Sequence, residues 1–221
     1  SWAVAKSLTP NQISQASMGF AALGFALYAL SPHGPDILQI LCLILAAAAV
    51  QARLVCNLID GMVAIEGGKG AKDGPFWNEA PDRASDLLFL TGAGLAAHQP
   101  ALGLLAASLA IATAYIRELG RAEGFPPDFS GPLAKPQRMA VLTVGTVLAA
   151  LYASEWTLTV TLWILVAGTA ATMLRRPLLA FDFDGTLAPI VARPDDARIS
   201  QAVSARLKSL AAELRVPIVT G

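Results

Sequence analysis

Long runs of apolar residues alternate with short polar connections along most of this 221-residue chain. Six apolar segments can be distinguished, most of them close to the ~20 residues that an α-helix needs to cross a bilayer. They are Ile13 to Leu30, Ile37 to about Glu66, about Pro75 to Ala97, Ala101 to Leu119, Met139 to Ala153, and Leu158 to Leu174. The fifth is short and, taken alone, would also fit a buried helix of a soluble protein. The pattern predicts an all-α, polytopic membrane protein with about six transmembrane helices.

The composition agrees with this prediction, because 55% of the residues are hydrophobic and 14% are charged, outside the range usual for soluble domains. The net charge is zero, and no nucleic-acid partner is expected. Cys42 and Cys56 both lie in the second apolar segment without a neighbouring metal ligand, so they are interpreted as packing residues.

The orientation in the membrane is predicted from the connections between the segments. The connections "SPHGPD", "AHQP" and "ASEW" contain no Lys or Arg. The other connections and the two flanks contain Lys6, Lys69, Lys72, Arg83, Arg117, Arg121, Lys135, Arg138, Arg175 and Arg176. Because Lys and Arg concentrate on the cytoplasmic side, we expect a multi-pass protein of the cell (inner) membrane with both termini in the cytoplasm.

Two polar helix faces stand near the cytoplasmic ends of the second and third segments. At spacings of three or four residues they contain Arg53, Asn57, Asp60 and Ala64 in the second segment, and Asn78, Asp82 and Asp86 in the third. Charged side chains are costly at a membrane, so these faces should meet and line a wet cavity or hold an ion. Oxygen ligands without His or Cys favour a hard cation, Mg²⁺ or Mn²⁺.

A plainer interpretation of single residues stays open. Asn78 could cap a helix, Asp86 and Arg83 could form a cytoplasmic ion pair, and Asp60 could be an interfacial carboxylate. The plainer interpretation explains the residues of the two polar faces less well when they are taken together, because Gly61 and Gly74 stand where a backbone could approach a phosphate.

The spacing resembles DxxDGxxARx8GxxxDxxxD, the signature of the CDP-alcohol phosphotransferases. The residues that stand at the signature's spacing are Asn57, Asp60, Gly61, Ala64, Ile65, Gly74, Asn78 and Asp82. The similarity covers roughly Leu8 to Leu174, including "LTPNQIS" before the first segment. The resemblance implies a six-helix membrane domain over residues 1–174 in which the four acidic positions hold two metal ions. By this resemblance Asn57, Asp60, Asn78 and Asp82 are the metal ligands, and Asp82 is the catalytic base.

The resemblance also implies an activity, the transfer of a phosphatidyl-type group from a CDP-linked lipid to an alcohol acceptor with release of CMP, as in phospholipid biosynthesis. The expected partners are the CDP-linked lipid, the alcohol and the bilayer, and a homodimer is compatible with them. Gly61, Ala64 and Gly74 would leave room for the nucleotide, although small residues also serve close helix packing.

Basic residues flank the cytoplasmic loop "AEGFPPDFSGPLAKPQ". Arg117, Lys135 and Arg138, with Arg121, could bind a phosphorylated acceptor or anionic headgroups. The topology alone would explain them equally well.

The chain departs from the signature at Asn57, Asn78 and Ile65, where Asp, Asp and Arg are expected. An amide oxygen can ligate a cation, but two negative charges are lost, so metal affinity should fall or one of two metals should be absent. Three nearby acidic residues could restore charge: Glu66, Glu79 and Asp86. These departures motivate the alternative that the domain is a degenerate, non-catalytic membrane scaffold, or an anchor for a trehalose-phosphatase-like domain.

The composition changes after Leu174. Residues 175–221 predict a short strand ending at "DFDGT", an amphipathic helix from about Ser200 to Leu214, and a second strand at "VPIVTG". This order predicts the start of a soluble α/β domain. Such a segment is too short to bury a core of its own, so a truncated domain is expected.

"DxDGT" at the end of a strand resembles the first motif of the haloacid dehalogenase superfamily. "LLAFDFDGTLAPIVARPDDARIS" is similar to trehalose-phosphate phosphatases in particular. The resemblance implies that Asp182 is the phosphoryl nucleophile and Asp184 the general acid and base, both at a magnesium site, and that Thr220 binds substrate. The later motifs of the superfamily are missing, so no phosphatase activity is expected from this chain.

Overall fold

The computed structural model describes residues 10–33, 36–66, 74–122, 131–152, 155–175, 181–182, 201, 204–206, 208–209 and 218–219. The side chains at 10–11, 61, 63–66, 74–75, 78 and 155, and those of the strand residues, lie outside this description. Within these residues there are six long α-helices: α1 Pro10–Leu30, α2 Asp36–Glu66, α3 Gly74–Ala96, α4 Pro100–Ala122, α5 Lys135–Tyr152 and α6 Glu155–Leu174. Each predicted apolar segment is therefore helical.

Four of the helices are long and apolar enough to cross a membrane, namely α1, α2, α4 and α6. In α3 four charged residues lie within the first 13 of the 23 residues: Glu79, Asp82, Arg83 and Asp86. Helix α5 has 18 residues and begins with the polar sequence "KPQR". Polar residues thus shorten the apolar stretches of α3 and α5, and each of these two helices contributes two side chains to the polar cluster described below.

The chain forms two compact units, Ser1–Ile111 with Pro132–Ala170, and Ala112–Gly131 with Ala171–Gly221. In the first unit α1 packs against α2 and α3, and α2 also packs against α5. Alanine supplies many of the buried side chains, including Ala46, Ala93 and Ala107. Small side chains let helix backbones approach closely where lipid surrounds the bundle.

The connection between α3 and α4 is tight and well satisfied. The amide of Gln99 donates to the Gly94 carbonyl at 2.8 Å, and that of His98 donates to Leu95 at 3.1 Å. His98 has a φ of 54°, the left-handed conformation that ends a helix in this pattern of hydrogen bonds. Beyond the turn, a Cβ on Gly94 would lie 2.7 Å from the Gly103 Cα, so the first turns of α4 pack directly on α3.

The surface of the helices is strongly apolar. Large side chains are widely exposed, among them Ile37 (73%), Leu151 (70%) and Trp156 (78%). Apolar surface of this extent would be unfavourable in water and is expected against lipid chains. Tyr152 and Trp156 lie where α5 ends and α6 begins, a position that suits the aromatic residues of a membrane interface.

In the second unit two short strands follow the helices, β1 Phe181–Asp182 and β2 Ile218–Val219. They pair in parallel, with Phe181 opposite Ile218 and Asp182 opposite Val219. Between them residues 201, 204–206 and 208–209 are helical. This order of elements agrees with the predicted strand, helix and strand, although each strand is only two residues long.

Candidate active site

Polar side chains converge at one end of the first unit, where α2 ends and α3 and α5 begin. We call this group the polar cluster. Its members are Ser14, Arg53, Asn57, Asp60, Asp82, Asp86, Lys135 and Arg138. The predicted meeting of the two polar helix faces is confirmed, because Arg53 and Asn57 of α2 both contact Asp82 of α3.

Asp82 is at the centre of the polar cluster and is 8% exposed. Its Oδ1 accepts hydrogen bonds from Nη2 of Arg53 and, at 3.0 Å, from Nδ2 of Asn57. Its Oδ2 accepts a hydrogen bond from Nζ of Lys135. One carboxylate therefore joins three helices, α2, α3 and α5. Within α3, Asp82 follows Pro81, which has no backbone N–H to donate.

Arg53 is completely buried, with a side-chain exposure of 0%. Its Nη2 pairs with Asp82, whereas Nε and Nη1 have no hydrogen-bond partner among the residues that the structure describes. Removing a guanidinium from water is costly, and one ion pair offsets that cost only in part. Arg53 therefore depends on Asp82 as its counter-charge.

A second buried ion pair lies one helical turn further along α3 and α5. Nη2 of Arg138 donates to Oδ2 of Asp86 at 3.0 Å, and Nη1 donates to the Leu133 carbonyl at 3.3 Å. Both charged side chains are almost fully buried. This pair fixes α5 against α3 beneath the contact between Lys135 and Asp82.

Asp60, the other carboxylate of the signature that remains in this chain, lies one turn beyond Asn57 on α2. Its Oδ2 accepts a hydrogen bond from Oγ of Ser14 in α1 at 3.0 Å. Ser17 in turn donates to the Ser14 carbonyl at 2.7 Å. Helix α1 therefore holds the Asp60 carboxylate in place at the same end of the unit.

Lys135 begins α5, outside the four candidate membrane spans. Burial, followed by repulsion from Arg53, lowers the pKa of its ammonium group, and the attraction of Asp82 opposes this shift only in part.

The ion pairs differ from one pairing considered for the sequence. Arg83 pairs with Glu79, and Asp86 pairs with Arg138, so the suggested pair between Asp86 and Arg83 is wrong. The reason is geometric, since Arg83 and Glu79 are one helical turn apart and Arg138 reaches Asp86 from α5. Two of the acidic residues that could have restored negative charge, Glu79 and Asp86, thus already face basic partners.

The remaining predicted site residues are placed only in part. Arg117, in the second unit, donates from Nε to Oε1 of Glu118 at 2.8 Å. Gly61, Ala64, Gly74 and Asn78 are described only as backbone, which belongs to α2 and α3. Asp182 is placed in β1 without its side chain, and Asp184 and Thr220 lie outside the described residues.

Two contacts of the polar cluster do not follow from the sequence pattern. Arg53 lies on the predicted polar face of α2, but the pattern does not predict its contact with Asp82. A usable signal existed, because an arginine four residues before Asn57 in an apolar helix needs an acidic partner nearby. Ser14 ends the phrase "LTPNQIS" of the resemblance, but nothing in that phrase indicates a contact with Asp60, since a serine in an apolar helix most often bonds to its own backbone.

The oxygen atoms of the polar cluster are of the type that a hard divalent cation binds. The candidate oxygen ligands among the described side chains are the carboxylates of Asp60 and Asp82 and the amide oxygen of Asn57, and Mg²⁺ and Mn²⁺ favour such oxygens. Within the described part of the chain, however, no group of three or more acidic, His or Cys side chains forms. The charge of the ligands is thus lower than a site for two dications would be expected to have.

Two proteins of known name are similar to this chain over most of its length. The phosphatidylinositol phosphate synthase of Corynebacterium glutamicum is 33% identical over 181 residues, which cover 78% of this chain and 78% of that protein. The phosphatidylinositol phosphate synthase of Mycolicibacterium smegmatis is 27% identical over 200 residues, covering 85% of this chain and 84% of that protein. No family model matches the chain.

The fold is also similar to solved structures of the Mycobacterium tuberculosis phosphatidylinositol phosphate synthase. The structure with CDP-DAG bound superposes with a TM-score of 0.66 at 21% identity and covers 79% of this chain and 87% of that one. The structure with manganese and citrate has a TM-score of 0.67 at 20% identity, covering 79% and 83% of the two chains. The helical bundle and the sequence similarity over more than three quarters of the Corynebacterium protein lead to one conclusion. This chain belongs to the CDP-alcohol phosphatidyltransferase family of membrane transferases.

Proposed function

We propose that this protein transfers the phosphatidyl group of CDP-diacylglycerol to an inositol phosphate, or to a closely related phosphorylated alcohol, with release of CMP. The names of the two similar synthases support this choice of substrates. The observation that carries the proposal is the position of Asp82, which the bundle holds beside basic residues at the end where α2, α3 and α5 meet.

Asp82 is the proposed base of the reaction. The acceptor hydroxyl oxygen forms a bond to the β-phosphorus, the bond from that phosphorus to the oxygen of CMP breaks, and the hydroxyl proton passes to the Asp82 carboxylate. Because Lys135 occupies Oδ2 of Asp82, this contact must open before the hydroxyl can approach that oxygen. An acceptor phosphate that attracts Lys135 would open it.

Lys135 and Arg138 are the proposed ligands of the acceptor phosphate, and Arg117 stays a candidate on its position in the sequence alone. Lys135 and Arg138 are three residues apart at the start of α5, and their charged groups contact Asp82 and Asp86 of the polar cluster. Arg138 has one further buried nitrogen, Nε, without a partner among the described residues. On the nucleotide side, the absence of large side chains at Gly61, Ala64 and Gly74 would admit the cytidine.

The cofactor of the proposed reaction is Mg²⁺ or Mn²⁺. Asp60 and Asp82 would hold it through charged oxygens, and Asn57 and Asn78 would add neutral oxygens. Such an ion, when bound, neutralises the pyrophosphate and stabilises the departing CMP.

The protein is proposed to span the inner membrane six times with both termini in the cytoplasm, so α3 and α5 would cross with α1, α2, α4 and α6. The support is the segregation of Lys and Arg to alternate connections. A homodimer is compatible with this arrangement.

Residues 1–174 are proposed to form the transferase domain, and residues 175–221 to begin a haloacid dehalogenase-like domain. In that second domain Asp182 and Asp184 would act at a magnesium site, and Thr220 would bind the phosphoryl group. The parallel pairing of β1 with β2 supports this division of the chain.

The transferase activity is tested with the purified chain, CDP-diacylglycerol and a panel of alcohols. Release of CMP that requires both a divalent metal and inositol phosphate would support the proposal. A non-catalytic scaffold, the alternative suggested by Asn57 and Asn78, predicts no CMP release with any acceptor. Equal release with unphosphorylated inositol would contradict the proposed role of the basic residues.

A further inference from the structure

The carboxylate of Asp82 is already surrounded by protein donors. Oδ1 receives the Arg53 guanidinium and the Asn57 amide, and Oδ2 receives the Lys135 ammonium. Two positive charges from the protein thus face a single negative one. In the wider polar cluster three described cations, Arg53, Lys135 and Arg138, balance three carboxylates, Asp60, Asp82 and Asp86.

The neutral side chain at position 57 suits a contact made without a metal. Nδ2 of Asn57 donates to Oδ1 of Asp82 at 3.0 Å, which a carboxylate at position 57 could not do. Two carboxylates facing each other at this distance would repel unless a cation lay between them. The hydrogen bond therefore joins α2 to α3 at a place where paired carboxylates would need an ion.

Arg53 provides the positive charge at that place. Its guanidinium cannot be deprotonated in a protein, and it is buried one helical turn from Asn57. A divalent ion bound at the same oxygen of Asp82 would have to displace the guanidinium or lie close to it. Displacement would leave Arg53 buried without its counter-charge, and close approach would place like charges together in a poorly solvated site.

We infer that Arg53 is an internal cation that takes the place of one divalent metal, so that this protein binds a single divalent cation and not two. Arg53 is on this view a positioning residue, because it acts by holding Asp82 and does not contact the substrate. The inference rests on the metal site of the proposed function. It explains together the burial of Arg53 and the loss of negative charge at positions 57 and 78.

Metal stoichiometry tests the inference on the unmodified full chain. The purified protein in detergent is titrated with Mn²⁺, and free Mn²⁺ is followed by electron paramagnetic resonance, with and without CDP-diacylglycerol. We expect one bound Mn²⁺ per chain under both conditions. Two bound ions, or none, would overturn the inference. CMP release is measured in parallel, so that two bound ions with turnover refute the inference alone, whereas one bound ion without turnover refutes the proposed reaction alone.

Three variants then test whether Arg53 is the reason that only one ion binds. Restoring acidic residues in Asn57→Asp/Asn78→Asp should leave the stoichiometry at one, because Arg53 is still present. Adding Arg53→Gln to these two changes should raise it to two, and Arg53→Lys in the same background should return it to one. A merely structural role of Arg53 predicts that all three variants bind the same number of ions, whichever residue stands at position 53. That result, or a second ion in the variant that retains Arg53, would contradict the inference.

Discussion

Arg138 and Asp86 form an ion pair of 3.0 Å in which both side chains are almost entirely removed from solvent. Asp86 follows Asp82 by one turn on α3, and Arg138 follows Lys135 by one turn on α5. The two helices are therefore joined by two successive ion pairs, the front pair of Lys135 with Asp82 and the rear pair of Arg138 with Asp86. The rear pair holds the helices at the separation that the front pair requires.

The first prediction concerns this rear pair. Asp86→Ala leaves the Arg138 charge buried without its partner and should lower the free energy of unfolding by about 3–5 kcal/mol. Asp86→Leu combined with Arg138→Met removes both charges and should be much closer to the parent protein. Thermal unfolding in detergent measures both effects. Arg121→Ala, which breaks an exposed pair with Glu118, is the control and should change stability by at most about 1 kcal/mol.

The second prediction concerns Asp82 itself. Asp82→Asn removes the proposed base and should nearly abolish CMP release, even at high Mg²⁺, because an amide cannot accept the hydroxyl proton. The rate of CMP release in single-turnover experiments is the measurement. Asp36→Asn changes an exposed acidic residue at the opposite end of α2 and should leave the rate unchanged. A rate in Asp82→Asn equal to that of the parent would disprove the assignment of the base.

The third prediction separates Asp60 from Asp82. Asp60→Asn should weaken metal binding, so that activity is partly recovered as Mg²⁺ is raised, in contrast to Asp82→Asn. Ser14→Ala removes the hydrogen bond that orients Asp60 and should raise the Mg²⁺ requirement in the same direction by a smaller amount. The Mg²⁺ concentration at half-maximal CMP release distinguishes these cases. If Asp60→Asn has the Mg²⁺ dependence of the parent, Asp60 is not a metal ligand.

The fourth prediction concerns the hydrogen bond between Tyr28 of α1 and Thr146 of α5, whose oxygens are 2.6 Å apart. Thr146 already donates to the Leu142 carbonyl at 2.8 Å, so the Tyr28 hydroxyl must be the donor. Tyr28→Phe leaves this site without a donor and should cost about 1 kcal/mol in unfolding free energy. Tyr152→Phe, at an exposed tyrosine, is the matched control and should have no measurable effect.

The fifth prediction concerns topology. Reporter fusions after His33 and Gln99 should lie outside the cytoplasm, and a fusion after Gly124 should lie inside, because connections rich in Lys and Arg concentrate on the cytoplasmic side of membrane proteins. A fusion after Gly124 that reports from outside would reverse the proposed orientation. It would also place the polar cluster on the wrong side for a cytoplasmic nucleotide.

The sequence by itself determined the helices and the polar positions. Apolar runs of membrane length allow little besides helix, because a backbone in lipid must satisfy its hydrogen bonds within the segment. The spacing of Asn57, Asp60, Asn78 and Asp82 singled out the end of α2 and the start of α3 before any contact was known. These are local properties, set by periodicity and by the cost of polar groups at a membrane.

Only the tertiary structure decided which charges meet. Arg53 is 29 residues from Asp82, and Lys135 is 53 residues from it, so no spacing rule joins them. Arg83 is the nearest basic residue to Asp86 in the sequence, yet Asp86 pairs with Arg138, because α5 reaches it within the buried interior of the bundle. Pairing between helices depends on which faces pack together. That choice is a property of the whole bundle, in which every buried charge must find its counter-charge at the same time.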